Sequence, residues 1–165
     1  MANKSRLILV DSTILIRLAL GEEGVEFATN LFSRAERRSE ELVIPSIALY
    51  EAIEKVLIAL TSKETGATTV PDAIKLLRDE TIRSRTYTDL EKFVSYFFYL
   101  HSTGRIMIYG VQADDVEQGI KIAIKYNLPL NDALTLAVAE KLRIQKIATF
   151  SEKLRRISGY QYLPP

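Results

Sequence analysis

The sequence predicts one α/β domain spanning residues 1–165: three layers, α/β/α, around a central, mainly parallel sheet of four to five strands. Two observations carry this. Short, continuously apolar runs recur along the chain, as in strands buried on both faces. Each is followed by segments with apolar residues at helical spacing, which serve as the crossovers a parallel sheet requires. Length agrees: 165 residues fit one domain with a substantial core, and no linker, repeat or low-complexity tract divides them.

Residues 6–10 (RLILV) form the first apolar run, ended by Asp11, and Ser12 and Thr13 open a short helix reaching about Leu18. Over 22–37, Val25, Ala28, Leu31, Phe32 and Ala35 recur at helical spacing. Residues 42–44 (LVI) are a second strand, stopped by Pro45, and Ser46 suits the N-cap of a helix over 46–62. The polar stretch 61–69, with Gly66, reads as a surface loop. Helices near 70–84 and 86–102 follow, separated around Arg85. Residues 105–109 (RIMIY) are a third strand. Asp114 is expected to cap a helix that stops at Asn127, ahead of Leu-Pro. Residues 131–143 are apolar nearly all round, so that helix should be buried. A fourth strand covers 146–150, Ser151 opens a last short helix, and 160–163 adds an edge strand.

Composition excludes several functions. The 22 basic and 21 acidic side chains nearly cancel, so no global field draws the chain to nucleic acid or an anionic membrane, and any such binding must use a local patch. The absence of cysteine removes disulfides, thiol nucleophiles, iron–sulfur clusters and cysteine-based zinc sites. The single histidine, His101, rules out a two-histidine metal motif; it reads as a packing or surface residue. The aromatic run 93–99 reads as core or a dimer interface, and Arg34, Arg37 and Arg38 as a solvated face. Gly21 and Gly24 lack the Lys-Ser/Thr continuation of a phosphate loop. Thr13 stands where dehalogenase-like phosphatases need a second aspartate. The first apolar run is too short for a signal-peptide core or a membrane helix, so a cytosolic protein without a membrane partner is expected.

In open α/β sheets, ligands gather beyond the carboxyl ends of the strands. Asp11 directly follows strand one, and Glu51 lies two turns into the helix after strand two. Asp132 opens the buried helix, and Thr149, Phe150 and Ser151 follow strand four. Carboxylate oxygens suit hard cations such as Mg²⁺ or Mn²⁺, and without one, converging acids repel. Each also has a structural alternative. Asp11 is a candidate helix cap, and Asp132 a first-turn acid beside the helix dipole with Asn131 as cap. Glu51 is flanked by Ile47 and Ile58 and so needs a partner, either Lys55 at i+4 or a metal; Glu54 is its nearby substitute.

Three segments, LILVDSTILI (7–16), LVIPSIALYEAIEKVL (42–57) and VQADDVEQGIKIAIKYNLPLNDALTLAVAEKLRIQKIATFS (111–151), together resemble PIN domains, particularly the VapC-like toxin nucleases. The likeness spans essentially the whole chain, with 61–85 longer than in the smaller members. It implies a metal-dependent endoribonuclease, the toxin of a toxin–antitoxin pair, with Mg²⁺ or Mn²⁺ held by three or four acids. By position, Asp11, Glu51 and Asp132 match the first three as catalytic, metal-holding residues, supported by Ser12, Asn131, Thr149 and Ser151. The position of the fourth acid holds Ser151, a departure that removes one negative charge. The resemblance also implies an RNA substrate, an antitoxin protein as partner, and a homodimer. The rival expectation is a PIN-like domain that has lost catalysis and binds RNA or protein.

Overall fold

The computed structural model describes residues 7–164; Arg6, expected to open the first strand, lies outside the described residues. In chain order the elements are β1 (Leu7–Val10), α1 (Ser12–Leu20), α2 (Val25–Glu36), β2 (Glu41–Pro45), α3 (Ser46–Thr65), α4 (Val70–Leu76), α5 (Glu80–Ser102), β3 (Ile106–Tyr109), α6 (Ala113–Tyr126), α7 (Leu130–Leu142), β4 (Lys146–Ala148), α8 (Glu152–Arg155) and β5 (Gln161–Leu163). The strands form one sheet in the order β3-β2-β1-β4-β5, and every pairing is parallel.

The period-two geometry of a strand divides the core between two faces. Ile8 and Val10 of β1 pack with Leu42 and Ile44 of β2 beneath α1, α2, α3 and α5, in a cluster that includes Leu15, Leu31, Phe32, Leu49 and Phe97. Leu9, Val43 and Ile147 point the other way, against Ile122, Ala133, Leu136, Val138 and Leu154 of α6, α7 and α8. The expected three layers are therefore present. Helix α7 is buried from Ala133 to Ala139, and it meets α6 closely at Gly119, where an added Cβ would lie 2.6 Å from Leu134 Cδ2. Of the aromatic run, Phe97 enters the core while Phe98 and Tyr99 face solvent. No helix of the described residues is long and apolar enough to cross a membrane.

Several local expectations need correction. Ser46 does not cap α3: it is the helix's first residue, behind Pro45 with no side-chain cap, and its hydroxyl accepts the Val111 amide at 3.1 Å. The polar stretch 61–69 is mostly helix: α3 continues to Thr65 and ends at Gly66 in the left-handed conformation (φ 74°). Thr61 stays inside it because its hydroxyl donates to the Leu57 carbonyl at 2.8 Å. The helices after that loop part at Asp79, not Arg85. Asp79 Oδ1 accepts from the amides of Thr81 (2.9 Å) and Ile82 (3.1 Å), restarting the helix at Glu80. Asp114 does not cap α6; Asp115 does that work, accepting the Gln112 amide at 2.8 Å in a capping box. Asn131 does not cap α7, which starts at Leu130 behind Pro129 with no side-chain cap.

Candidate functional site

Because all five strands run the same way, Asp11, Ser46, Thr149 and the residue after Tyr109 emerge at one edge of the sheet. The start of α7 is delivered there too, since that helix returns the chain toward the beginning of β4. Asp11 is held first by its backbone, its amide donating to the Ala148 carbonyl at 3.0 Å. Its side chain, 2% exposed, accepts from the Thr13 hydroxyl (2.7 Å), the Thr149 hydroxyl (2.8 Å) and the Thr13 amide (3.3 Å), all on Oδ2. The amide bond makes Asp11 the N-cap of α1. The hydroxyls go further, because each is itself fixed: Thr13 Oγ1 accepts the Phe150 amide and Thr149 Oγ1 accepts the Ser151 amide, both at 2.9 Å. Burial pushes the Asp11 carboxyl above the usual range, against the pull of these bonds.

Asp132 sits in the first turn of α7. Its Oδ2 accepts the Ser151 hydroxyl at 3.1 Å. Its carboxyl is raised chiefly by burial and next by the negative charge of Asp11; the Ser151 bond opposes this, and smaller effects come from Glu51, which raises it, and Lys153, which lowers it. The three acids therefore share one electrostatic neighbourhood. Glu51 differs from the others in having both oxygens engaged: Oε2 by the Ser12 hydroxyl at 2.9 Å and Oε1 by the Lys55 ammonium at 2.7 Å. Glu54 is exposed and Glu152 is exposed as well, the latter facing Arg156 at 3.8 Å.

Among the described residues no three acid or histidine side chains stand as a group ready to hold an ion. The chemistry of the donors nevertheless fits a hard cation: carboxylates and hydroxyls, with Asp132 carrying repulsion from Asp11 that a cation would offset. Glu51 is turned toward Lys55.

Some contributors escaped sequence reading. Thr13, read there as a helix opener and as the place of a missing acid, holds Asp11 and the Phe150 amide together. The Arg155 guanidinium donates to the carbonyls of Thr149 (2.8 and 3.1 Å) and Pro164 (2.7 Å), fixing the exit of β4. Neither has a sequence signature, since both act on residues chosen by the fold. Phe150 is boxed in by Arg17, 3.9 Å from the ring centroid, and by Gly24, where any Cβ would strike the ring. His101 accepts the Ile108 amide at 3.3 Å, a structural contact at β3.

A family model described as PIN domain matches residues 8–160. Among solved structures, the chain is similar to VapC20 of Mycobacterium tuberculosis, described as a sarcin–ricin loop cleaving toxin (16% identity, 93% of this chain and 97% of that one, TM-score 0.55). It is similar to a toxin–antitoxin complex from Klebsiella pneumoniae (20% identity, 93% and 94% covered, TM-score 0.51). It is also similar to VapBC2 of Rickettsia felis, bound to a promoter DNA fragment (15% identity, 94% and 96% covered, TM-score 0.54). At these identities the likeness is one of fold. No curated protein matches the chain.

Proposed function

The chain belongs to the PIN domain family, and on that premise we propose that it is an endoribonuclease that hydrolyses RNA phosphodiester bonds with a bound Mg²⁺ or Mn²⁺. The observation that carries this is the placement of Asp11 and Asp132: two acids, remote in sequence, both tied to the exit of β4, Asp11 by the Thr149 hydroxyl and Asp132 by the Ser151 hydroxyl, with the charge of Asp11 among the causes that raise the Asp132 carboxyl. Two acids do not retain such repulsion for stability's sake.

In this reading Asp11 and Asp132 are the principal ligands, and Glu51 is a third ligand or orients the attacking water. Thr13 and Thr149 lock Asp11 Oδ2, which leaves Oδ1 as the oxygen to present. Ser151 orients Asp132 and Ser12 orients Glu51, the supporting work that sets ligand geometry. When bound, a divalent ion supplies Lewis acidity toward the phosphoryl oxygen and a nucleophilic water at neutral pH. The water oxygen adds to phosphorus and releases a proton, the ester P–O bond breaks, and the leaving oxygen takes up a proton from solvent and departs as a hydroxyl. Asn131, beside Asp132 in the first turn of α7, is a supporting residue in the same reading.

The neighbours support the remaining assignments. The toxin–antitoxin complexes among them favour a toxin role, with an antitoxin protein as partner. The loop-cleaving toxin favours RNA as substrate. The same reading takes residues 1–165 as one domain, acting in the cytoplasm as a homodimer. Asp11→Asn, or chelation of the wild type, is expected to abolish cleavage of RNA in the presence of Mn²⁺. Cleavage surviving both would refute the proposal. A second reading, a binding module for RNA or protein without catalysis, draws on Ser151, which offers a neutral hydroxyl where a fourth carboxylate is expected.

A further inference from the structure

Lys55 lies one turn beyond Glu51 on α3, and an i,i+4 ion pair on a solvated helix face contributes little. This pair is not on such a face. The Glu51 side chain is only 17% exposed while that of Lys55 is 52% exposed, and the second Glu51 oxygen takes the hydroxyl of Ser12, the neighbour of Asp11. The ammonium is thus moored to the acid group on one side and open to solvent on the other. Ser151, meanwhile, adds no charge where it meets Asp132.

Formal charge connects the two departures. Counting the ion-paired ammonium alone, three carboxylates and Lys55 leave two negative charges, which one divalent ion balances; Lys153 acts on Asp132 more weakly than any other group there. A fourth carboxylate and no lysine would leave four, which two such ions balance. Lysine is a compact cation well suited to phosphate oxygens, and two-ion hydrolases use their second ion to neutralise charge on the reacting phosphate.

Resting on the nuclease reading, we propose that Lys55 stands in for a second metal ion: the group of Asp11, Glu51 and Asp132 holds one divalent cation, and the Lys55 ammonium, moored on Glu51 Oε1, contacts a non-bridging oxygen of the substrate phosphate. Lys55 is then a catalytic residue, and Ser151 is the matching change that keeps the second ion out.

Calorimetric titration of the full chain with MnCl₂, paired with cleavage of an RNA oligonucleotide at saturating Mn²⁺, tests this. The wild type should take up one Mn²⁺ per chain. Lys55→Met should still bind one, on the order of tenfold more tightly, the effect of one unit charge on a divalent ion a few ångströms away in a water-like dielectric. Its kcat should nevertheless fall on the order of a hundredfold, as when a transition-state donor is lost, with KM nearly unchanged and Lys55→Arg partly restoring the rate. Only the double variant Lys55→Met, Ser151→Asp should bind two ions. Two Mn²⁺ on the wild type, or unchanged affinity or unchanged cleavage in Lys55→Met, overturns the proposal and leaves the nuclease reading standing. A wild type that binds no Mn²⁺ ends both. One that binds a single Mn²⁺ but cleaves no RNA ends the nuclease reading, and the phosphate contact with it.

Discussion

Replacing Asp132 by Asn is expected to stabilise the metal-free protein while abolishing its response to Mn²⁺. The substitution removes the repulsion from Asp11 and the cost of keeping a charge half-buried, the two leading causes that raise the Asp132 carboxyl. Two like charges about 4 Å apart repel by roughly 1 kcal/mol in water and about 4 at a dielectric of 20. Asp132 is only partly buried, so the lower figure applies, and Glu51 adds little because Lys55 already offsets it. Against this stands the lost attraction of a first-turn acid to the helix dipole, about 0.3–1 kcal/mol. The Ser151 hydroxyl keeps a carbonyl acceptor in Asn. Relief of desolvation tips the balance, leaving about 1 kcal/mol of stabilisation and a Tm about 2–4 °C higher for a chain of this size. The pH dependence follows from the sign of the shift. A carboxyl raised in the folded state favours folding below its unfolded pKa, and that advantage is lost as pH rises through the folded value. The variant should therefore gain on the wild type at neutral pH and lose its lead as acid protonates Asp132. Wild type at an Mn²⁺ concentration 100-fold above Kd should gain about 2.7 kcal/mol, or about 5–10 °C, and the variant almost nothing. Differential scanning calorimetry at two pH values, with and without MnCl₂, measures all of this. An Asn variant less stable than wild type at neutral pH, or equally stabilised by Mn²⁺, refutes the reasoning.

Ser151→Asp should raise Mn²⁺ affinity by on the order of tenfold through its added charge and lower the metal-free Tm, both seen by titration and thermal melts; no Mn²⁺ uptake in either form would favour the binding-module reading. Thr149→Val removes a buried donor to Asp11 and the acceptor of the Ser151 amide. It should cost about 2 kcal/mol in denaturant melts and weaken Mn²⁺ binding in parallel. Gly119→Ala forces a Cβ against Leu134 between α6 and α7. About 1–3 kcal/mol of overpacking should appear in the same melts, with Mn²⁺ affinity per folded molecule unchanged.

The sheet was legible because its signal is local. A run such as LILV buried on both faces admits few other readings, and its end at Asp11 marks both the strand's edge and the site. The helix break at Asp79 was harder, since Ile74, Leu76, Leu77 and Ile82 extend a helical pattern across it, and only the Asp79 cap interrupts them. Thr61 and Thr65 look like loop residues until their hydroxyls return to the helix backbone. At the site, the Glu51–Lys55 pair could be read from i,i+4 spacing. The bonds that give the acids their orientation could not: Ser12 to Glu51 spans 39 residues and Thr149 to Asp11 spans 138. Such contacts exist only after the parallel sheet has stacked the strand ends.

The kinds of donor chosen for these bonds bear on function. A buried acid held by arginine or lysine is neutralised as well as oriented. Asp11 and Asp132 are instead held by hydroxyls and amides, which fix an oxygen without cancelling its charge. The negative potential at the sheet's edge therefore survives folding, at a cost visible in the raised carboxyls of both residues. Among the described residues, Glu51 alone of the three has an ion pair, and its cation stands half in solvent; Lys153 acts on Asp132 only as the weakest of its influences. A purely structural network would gain by placing its positive charge at the buried end, beside Asp11. Its placement at the open end leaves the deep acids in want of a counter-ion and the ammonium free to meet an incoming anion.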